Sequence, residues 1–338
     1  MKHTVLYGIL ILLLTVCFLM VLFTGNLLIP LREILCILLT GESATDEWVT
    51  VVREFRLPKA LTAVLSGCAL SVSGLQMQTV FRNPLAGPFV LGISAGSTLG
   101  VALVLMGVAA AGFAGAIGNW TVVLASFLGA GGVLFLIFSV SLRIRDVMTI
   151  LILGIMFGSI TSSLINVLQF FSNENLLKAF TVWTMGSLQS VTGSQLKVMI
   201  PCILAGLLVS LLNVKNLNAL LLGENYARSL GVNVTVSRLW IFFSTGILAG
   251  SVTAFCGPIG FIGIAVPHIC RMLFRTADQR TLFFACIPTG AVVMLVSDLL
   301  STLPGNGAVL PVNSVTAFIG IPVIIWIIVR NHKISSLI

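Results

Sequence analysis

Chemistry within a protein needs ionisable, nucleophilic or metal-binding side chains held close together. This chain of 338 residues offers few: 10 Asp+Glu, 3 His and 7 Cys. Within the long apolar runs the only clear acid is Asp298, toward the outer end of its run. An intramembrane carboxylate is what a proton- or sodium-coupled carrier uses, because a charge at that depth is expensive and is kept for function. A single acid is thin support for such a carrier. The cysteines at 17, 36, 68, 202, 256, 270 and 286 include no C-x-x-C and no His at ligand spacing, so they read as small buried hydrophobes, and no metal site is expected. There is no H-E-x-x-H and no G-x-S-x-G, and no Lys follows a Gly, which rules out a Walker A phosphate loop. The expectation is therefore a chain that is not an enzyme and holds no cofactor. The mid-run polar groups Gln76, Gln78, Asn166 and Gln169 are uncharged, and either line a pathway or bond to neighbouring helices.

The elements that position these residues follow from composition. Hydrophobic residues make up 58% of the chain and charged residues 8%, against about 25% charged in soluble proteins. So little charge cannot cover a water-facing surface, and disorder needs the opposite composition. Each helical span takes roughly 20 apolar residues, whereas barrel strands would alternate over about ten. The apolar runs are long and unbroken: 5–23, 60–80, 89–108, 120–141, 147–169, 196–213, 237–256, 258–273, 282–302 and 312–329. The fold class is all-α and polytopic, with about ten transmembrane helices. The first run is too long for a signal-peptide core and has no A-x-A site, so it reads as a retained span. The formal +8 charge has no basic face to support a nucleic-acid partner. Placing both termini inside puts twelve cations in the cytoplasm (Lys2, Arg82, Arg143, Arg145, Lys215, Arg228, Arg238, Arg271, Arg275, Arg280, Arg330, Lys333). Six lie outside (Arg32, Arg53, Arg56, Lys59, Lys178, Lys197), beside Glu33, Glu42, Asp46, Glu47 and Glu54. The positive-inside bias thus gives N-in and C-in.

Two regions interrupt the runs in related ways. One is Asn83-Pro84-Leu85-Ala86-Gly87-Pro88 followed by Gly92, Gly96 and Gly100; the other is Gly257 to Gly263 followed by Pro267-His268. Pro and Gly at membrane depth survive only where protein or a water-filled path surrounds them, and paired interruptions point to a transporter with an internal pseudo-repeat. The alternative for Gly92, Gly96, Gly100, Gly246 and Gly250 is close helix packing. His268 reads as a capping or packing residue. With neither an ATP site nor intramembrane charges, a transporter must be energised by another subunit. The receiving surface expected for it is the amphipathic cytoplasmic stretch Leu220 to Val232, read as one short helix stopped by Gly231.

These residues resemble the FecCD family of ABC-importer permeases for iron-siderophores, haem and cobalamin. The match runs through Arg56-Leu57-Pro58-Lys59, Met77-Gln78-x-x-Phe81-Arg82-Asn83-Pro84-Leu85-Ala86-x-Pro88, Gly223-Glu224-x-x-Ala227-Arg228-x-Leu230-Gly231, Gly257 to Gly263 with Pro267-His268, and Leu310-Pro311-Val312. The resemblance covers essentially the whole chain. It implies a single permease domain, 1–338, in the cell (inner) membrane, with a coupling loop at about 214–236. It further implies a dimer with a second copy of the chain and a substrate path between the copies. Two copies of an ATPase would bind ATP and Mg, and a periplasmic or lipid-anchored binding protein would deliver cargo. By similarity, Gly223, Glu224, Ala227, Arg228, Leu230 and Gly231 meet the ATPase. Asn83, Pro84 and Leu85 with Asp146, Val147 and Met148 form the cytoplasmic gate. Arg56 and Lys59 dock the binding protein. The plain alternatives are a positive-inside charge for Arg228 and membrane anchoring for Arg56 and Lys59.

Two departures bear on docking: Val309 stands where relatives often have Glu, and Thr302 where many have a basic residue. The cargo expected is an iron-siderophore, with cobalamin or haem as alternatives. The competing classes are an ion-coupled carrier built on Asp298 and a membrane enzyme such as a lipid-modifying transferase.

Overall fold

The computed structural model describes residues 2–25, 27, 29–43, 45–108, 118–144, 146–303 and 309–335. Arg145 lies outside the described residues, as do the side chains of Lys2, Arg330 and Lys333. Among the described residues every regular element is helical. They are α1 (Lys2–Phe23), α2 (Leu31–Leu39), α3 (Asp46–Thr50), α4 (Leu57–Val80), α5 (Ile93–Ala102), α6 (Asn119–Arg143), α7 (Val147–Phe170), α8 (Glu174–Thr184), α9 (Gly193–Leu212), α10 (Val214–Leu221), α11 (Glu224–Ser229), α12 (Val234–Cys256), α13 (Ile262–Phe274), α14 (Gln279–Ser301) and α15 (Val312–Ser335).

Among the described residues seven helices are long and apolar enough to cross a membrane, with Asp46–Val80 counted as one. Three shorter apolar helices, Ile93–Gly107, Ile262–Phe274 and Val312–Trp326, take the places of the remaining expected runs. The chain is a multi-pass membrane protein with about the ten spans its sequence calls for. One boundary differs. The second span does not start near residue 60, because a π-helical stretch, Val51–Arg56, joins α3 to α4 without a break. Arg53, Glu54 and Arg56 lower the local hydropathy, yet charge does not end a helix.

Burial separates the centre from the periphery. The apolar windows of α4, α12 and α14 are 83%, 78% and 72% buried, whereas those of α1 and α7 are 22% buried. Small residues allow the central helices to touch. A Cβ on Gly67 would collide with the backbone at Gly290 of α14, and one on Gly74 with the backbone of Gly263 of α13. Packing without side chains between backbones is how membrane helices gain dispersion contact when lipid supplies no hydrophobic drive. Gly96 and Gly100 meet the backbones of Gly129 and Ala125 on α6, and Gly246 meets the side chain of Leu134, so the close-packing reading holds for these three. Gly92 has another duty, because its φ of 73° starts α5 from the left-handed region.

The pseudo-repeat is visible at this point. α4 and α12 are each followed by a non-α link and a shorter helix, and both shorter helices start from a left-handed residue: Gly92 for α5, Phe261 (φ 65°) for α13. Phe261 is not glycine, so this conformation costs about 1–3 kcal/mol and persists only under constraint. Its neighbour Gly260 donates its N–H to Asn313 Oδ1 at 3.0 Å, which pins the link to the start of α15. The two interruptions also touch, with Gly263 against Pro88 and Gly87 against Ile264.

Candidate functional site

The stretch expected to receive the ATPase is two helices rather than one. α10 ends at Leu221, Gly223 turns the chain at φ 118°, and α11 begins at Glu224. Only glycine takes that backbone without strain, which is why amphipathic spacing alone ran the helix through it. The stop at Gly231 is as expected. Gly231 has φ 82°, its N–H donates to Arg228 O at 2.9 Å, and Val232 N–H donates to Ala227 O at 3.0 Å, a Schellman closure. Ala227 is fully buried, while Tyr226 and Leu230 are exposed. Glu224 sits between two arginines, with Arg228 at 3.6 Å one turn on and Arg238, in the first turns of α12, at 2.5 Å. Arg238 is only 3% exposed, so this pair anchors the surface helix to a central one.

Of the residues expected at the gate, Asn83, Pro84 and Leu85 form a compact turn after α4, and Asp146, Val147 and Met148 stand at the start of α7. Asn83 Oδ1 accepts the N–H of Leu85 at 2.9 Å and Asn83 O accepts that of Ala86 at 3.0 Å. Leu85 is left 44% exposed at the tip. Pro84 O lies 2.8 Å from His268 Nε2; a carbonyl can only accept, so this nitrogen carries the proton. His268 is thus a packing and capping group, as its setting suggested. Asp146 caps α7, accepting from Thr149 Oγ1 at 2.6 Å, Thr149 N at 2.9 Å and Met148 N at 3.4 Å. The bonds from Thr149, its side chain first, hold this carboxyl below the usual carboxylate range.

Both sets open on one space. A cavity of about 780 Å³ is lined by Val80, Phe81, Arg82, Asn83, Pro84, Val147, Met148, Leu222, Gly223, Glu224, Asn225 and Tyr226. The structure therefore brings together Asn83, Pro84, Val147, Met148, Gly223 and Glu224; Leu85, Asp146, Ala227, Arg228, Leu230 and Gly231 are not among its lining residues. Described cations Arg82, Arg228 and Arg238 cluster at this end, which the positive-inside bias makes cytoplasmic.

At the opposite end both docking candidates have internal partners. Arg56, 7% exposed, donates to Leu22 O at 2.7 Å, Phe23 O at 3.1 Å and Leu27 O, closing the C-terminal end of α1. Lys59 Nζ lies 2.8 Å from Asp298 Oδ2 and joins α4 to α14. Arg56 is buried inside the chain, and Lys59, partly exposed, is paired with an acid, so each charge has a partner within the chain. Asp298, the acid within α14, is paired with Lys59 and borders a cavity of about 210 Å³ with Ser301 and the Val309–Val312 segment.

The polar residues inside the spans divide. Gln76 Oε1 accepts from Ser244 and Thr245 of α12 at 3.1 and 3.0 Å. Gln78 donates to Ile264 O at 3.1 Å and accepts from Arg271 at 2.6 Å. Both bond helices together, whereas Asn166 is exposed on α7. Sequence reasoning missed Arg82 and Arg238, which it took only as cytoplasmic charges. The available signals were the place of Arg82 beside Asn83-Pro84 and the place of Arg238 in the first turns of a buried span.

Among the described residues ten apolar helices pack about a close-packed centre, the arrangement of a multi-pass membrane protein, and the turn after α4 shares a cavity with the start of α11. A family model described as the FecCD transport family matches residues 12–330. The chain belongs to that family, the permeases of ABC importers. It is 35% identical over 298 residues to the hemin transport system permease of Yersinia pestis, covering 88% of this chain and 87% of that one. It is 36% identical over 316 residues to the vitamin B12 import system permease of Klebsiella pneumoniae, covering 91% and 93%. A solved structure of a metal-chelate type ABC transporter, in an inward-facing conformation, superposes with a TM-score of 0.84 at 28% identity, covering 97% of this chain and 99% of that one.

Proposed function

We propose that this permease carries a metal chelate inward, driven by two copies of an ATPase that hold ATP and Mg. The cargo class spans iron-siderophores, the expectation from sequence, and the haem and vitamin B12 named for the two relatives. The observation that carries the coupling role is the shared cavity: Glu224 of the surface helix and Asn83 of the gate turn face the same space. Motion imposed on α11 from the cytoplasm then reaches the gate without crossing the bilayer. Pairing with a second copy is supported by α7, which exposes Ser159, Ser162, Ser163 and Asn166 at helical spacing. The three hydroxyls bond back to their own helix, but an amide at membrane depth calls for a polar partner or a wet path. An external binding protein supplies the affinity.

The test replaces Glu224 and Arg228 together in the permease–ATPase complex in proteoliposomes, with haemin, cyanocobalamin and a ferric siderophore offered through the cognate binding protein. Mass spectrometry of that protein's ligand identifies the cargo. Hydrolysis without uptake is expected of the double variant. Uptake and binding-protein-stimulated hydrolysis both at the parental level would remove the coupling reading.

A further inference from the structure

One side chain spans the gap between the gate turn and the coupling segment. Arg82 follows α4 and immediately precedes Asn83, and its φ of 46° lies in the left-handed region, uncommon for a residue with a side chain. Its guanidinium reaches away from α4: Nη2 donates to Leu220 O at 3.2 Å, in the last turn of α10. Leu220 O also accepts the N–H of Gly223 at 3.1 Å, so the guanidinium takes its second lone pair in a charge-assisted bond at the negative end of the helix. The same nitrogen lies so close to Gly223 that a Cβ on that residue would come within 2.8 Å of it. The glycine that breaks the coupling segment is therefore also the one that admits the arginine. On its far side the gate turn is held to α13 through His268 and Pro84 O. The turn thus hangs between two supports, one on α13 and one on the coupling segment.

We infer that Arg82 is the positioning residue through which displacement of the Leu220–Gly223 segment moves the gate turn. This rests on the reading of 223–231 as the ATPase-coupling segment and of Asn83–Leu85 as the gate. A shift of Leu220 draws the guanidinium with it, and Asn83 is one peptide bond away. The Glu224–Arg238 pair runs to α12 instead, so it carries the same motion into the core without touching the turn. If Arg82 were only a cytoplasmic charge, its removal would leave the response of the gate to nucleotide intact.

The experiment reads the gate directly and needs no cargo. In the full permease–ATPase complex in liposomes, Leu85→Cys reports the turn through its rate of reaction with a membrane-impermeant maleimide. Cys36 and Cys202, the two cysteines that are not buried, are replaced. Rates are compared without nucleotide and after trapping with ATP and vanadate. With Arg82 present, trapping should change the rate by about tenfold, within the usual span of coupling between sites. In Arg82→Ala the change should fall below about twofold while the amount of trapped nucleotide stays at the parental level, and Arg82→Lys, which keeps a donor, should recover a response. A purely structural loss would reduce assembly and trapping together. Where Arg82→Ala fails to assemble, Arg82→Met, which keeps the length of the side chain without its donors, should separate trapping from gate response in the same way. A parental gate response in Arg82→Ala, or in Arg82→Met where that stands in, overturns the proposal. Trapping without any gate response in the parent overturns the coupling reading itself, and the role of Arg82 with it.

Discussion

The Lys59–Asp298 pair predicts an asymmetric response to losing one partner. At 2.8 Å the gross attraction is about 6 kcal/mol for an effective dielectric constant of about 20. Burying two ions costs several kcal/mol each, so the intact pair contributes little net stability. Breaking it is a different matter. The Asp298 side chain is 2% exposed and short, so in Lys59→Met the carboxylate is stranded, at a cost of about 3–5 kcal/mol. The Lys59 side chain is 15% exposed on a long stem that can carry its ammonium to the outer surface, so Asp298→Asn should cost only about 1–3 kcal/mol. The double variant Lys59→Met/Asp298→Leu should return to within about 1–2 kcal/mol of the parent, since it removes both desolvated charges. The assay is the midpoint temperature of the detergent-solubilised protein followed by size-exclusion chromatography. Equal losses in the two single variants, or a double variant no more stable than Lys59→Met, would refute this reasoning. If Asp298 drove ion-coupled transport, stability would return in the double variant and uptake would not.

Other consequences can be checked separately. Gly67→Ala places its Cβ 2.6 Å from the carbonyl carbon of Gly290 and 2.8 Å from Ala291 N, so it should cost about 1–3 kcal/mol or more in the same melting assay. Gly131→Ala, which meets nothing within 4 Å, should instead gain up to about 1 kcal/mol from helix propensity. Arg238→Ala frees Glu224 from α12 and should lower uptake relative to hydrolysis, because Glu224 is left with its local pair to Arg228 and α11 with the packing of Ala227; an unchanged ratio would deny the Glu224–Arg238 pair a share in coupling. Burial of the Asp278 carboxylate opposes its ionisation, but hydrogen bonds from Thr281, Asn218 and the Arg280 backbone outweigh this and hold its pKa at about 2, below its ordinary 3.8. Its contribution is therefore complete above about pH 4 and is lost as pH falls toward 2. Asp278→Ala should cost about 1 kcal/mol at neutral pH as a lost N-cap and should flatten the acid limb of a melting-temperature profile.

Hydropathy made the spans legible because each needs only an apolar run of sufficient length, and it failed where a different force decides. The Val51–Arg56 stretch is charged yet helical because backbone hydrogen bonding, not lipid, continues it into α4. Gly223 breaks an amphipathic pattern that would otherwise run on, since a single φ of 118° outranks the spacing of apolar residues. The residues expected at the gate and at the ATPase come from family motifs, but that Asn83, Pro84, Val147, Met148, Gly223 and Glu224 line one cavity depends on the packing of α4, α7 and α11, which no local pattern encodes. Scarcity of charge misled in a more instructive way. Arg82 and Arg238 read as charges facing water, and Arg56 and Lys59 as docking residues or membrane anchors, because a single chain does not show where a long side chain turns. Each turns inward, to carbonyls at the end of α1, to Asp298, to the end of α10 and to Glu224. An arginine or lysine at the boundary of a span has a long enough stem to reach the neighbouring element, and helix ends offer unpaired carbonyls to receive it. In a protein with so few charges, those at span ends are better read first as ties between helices and only then as surfaces for partners.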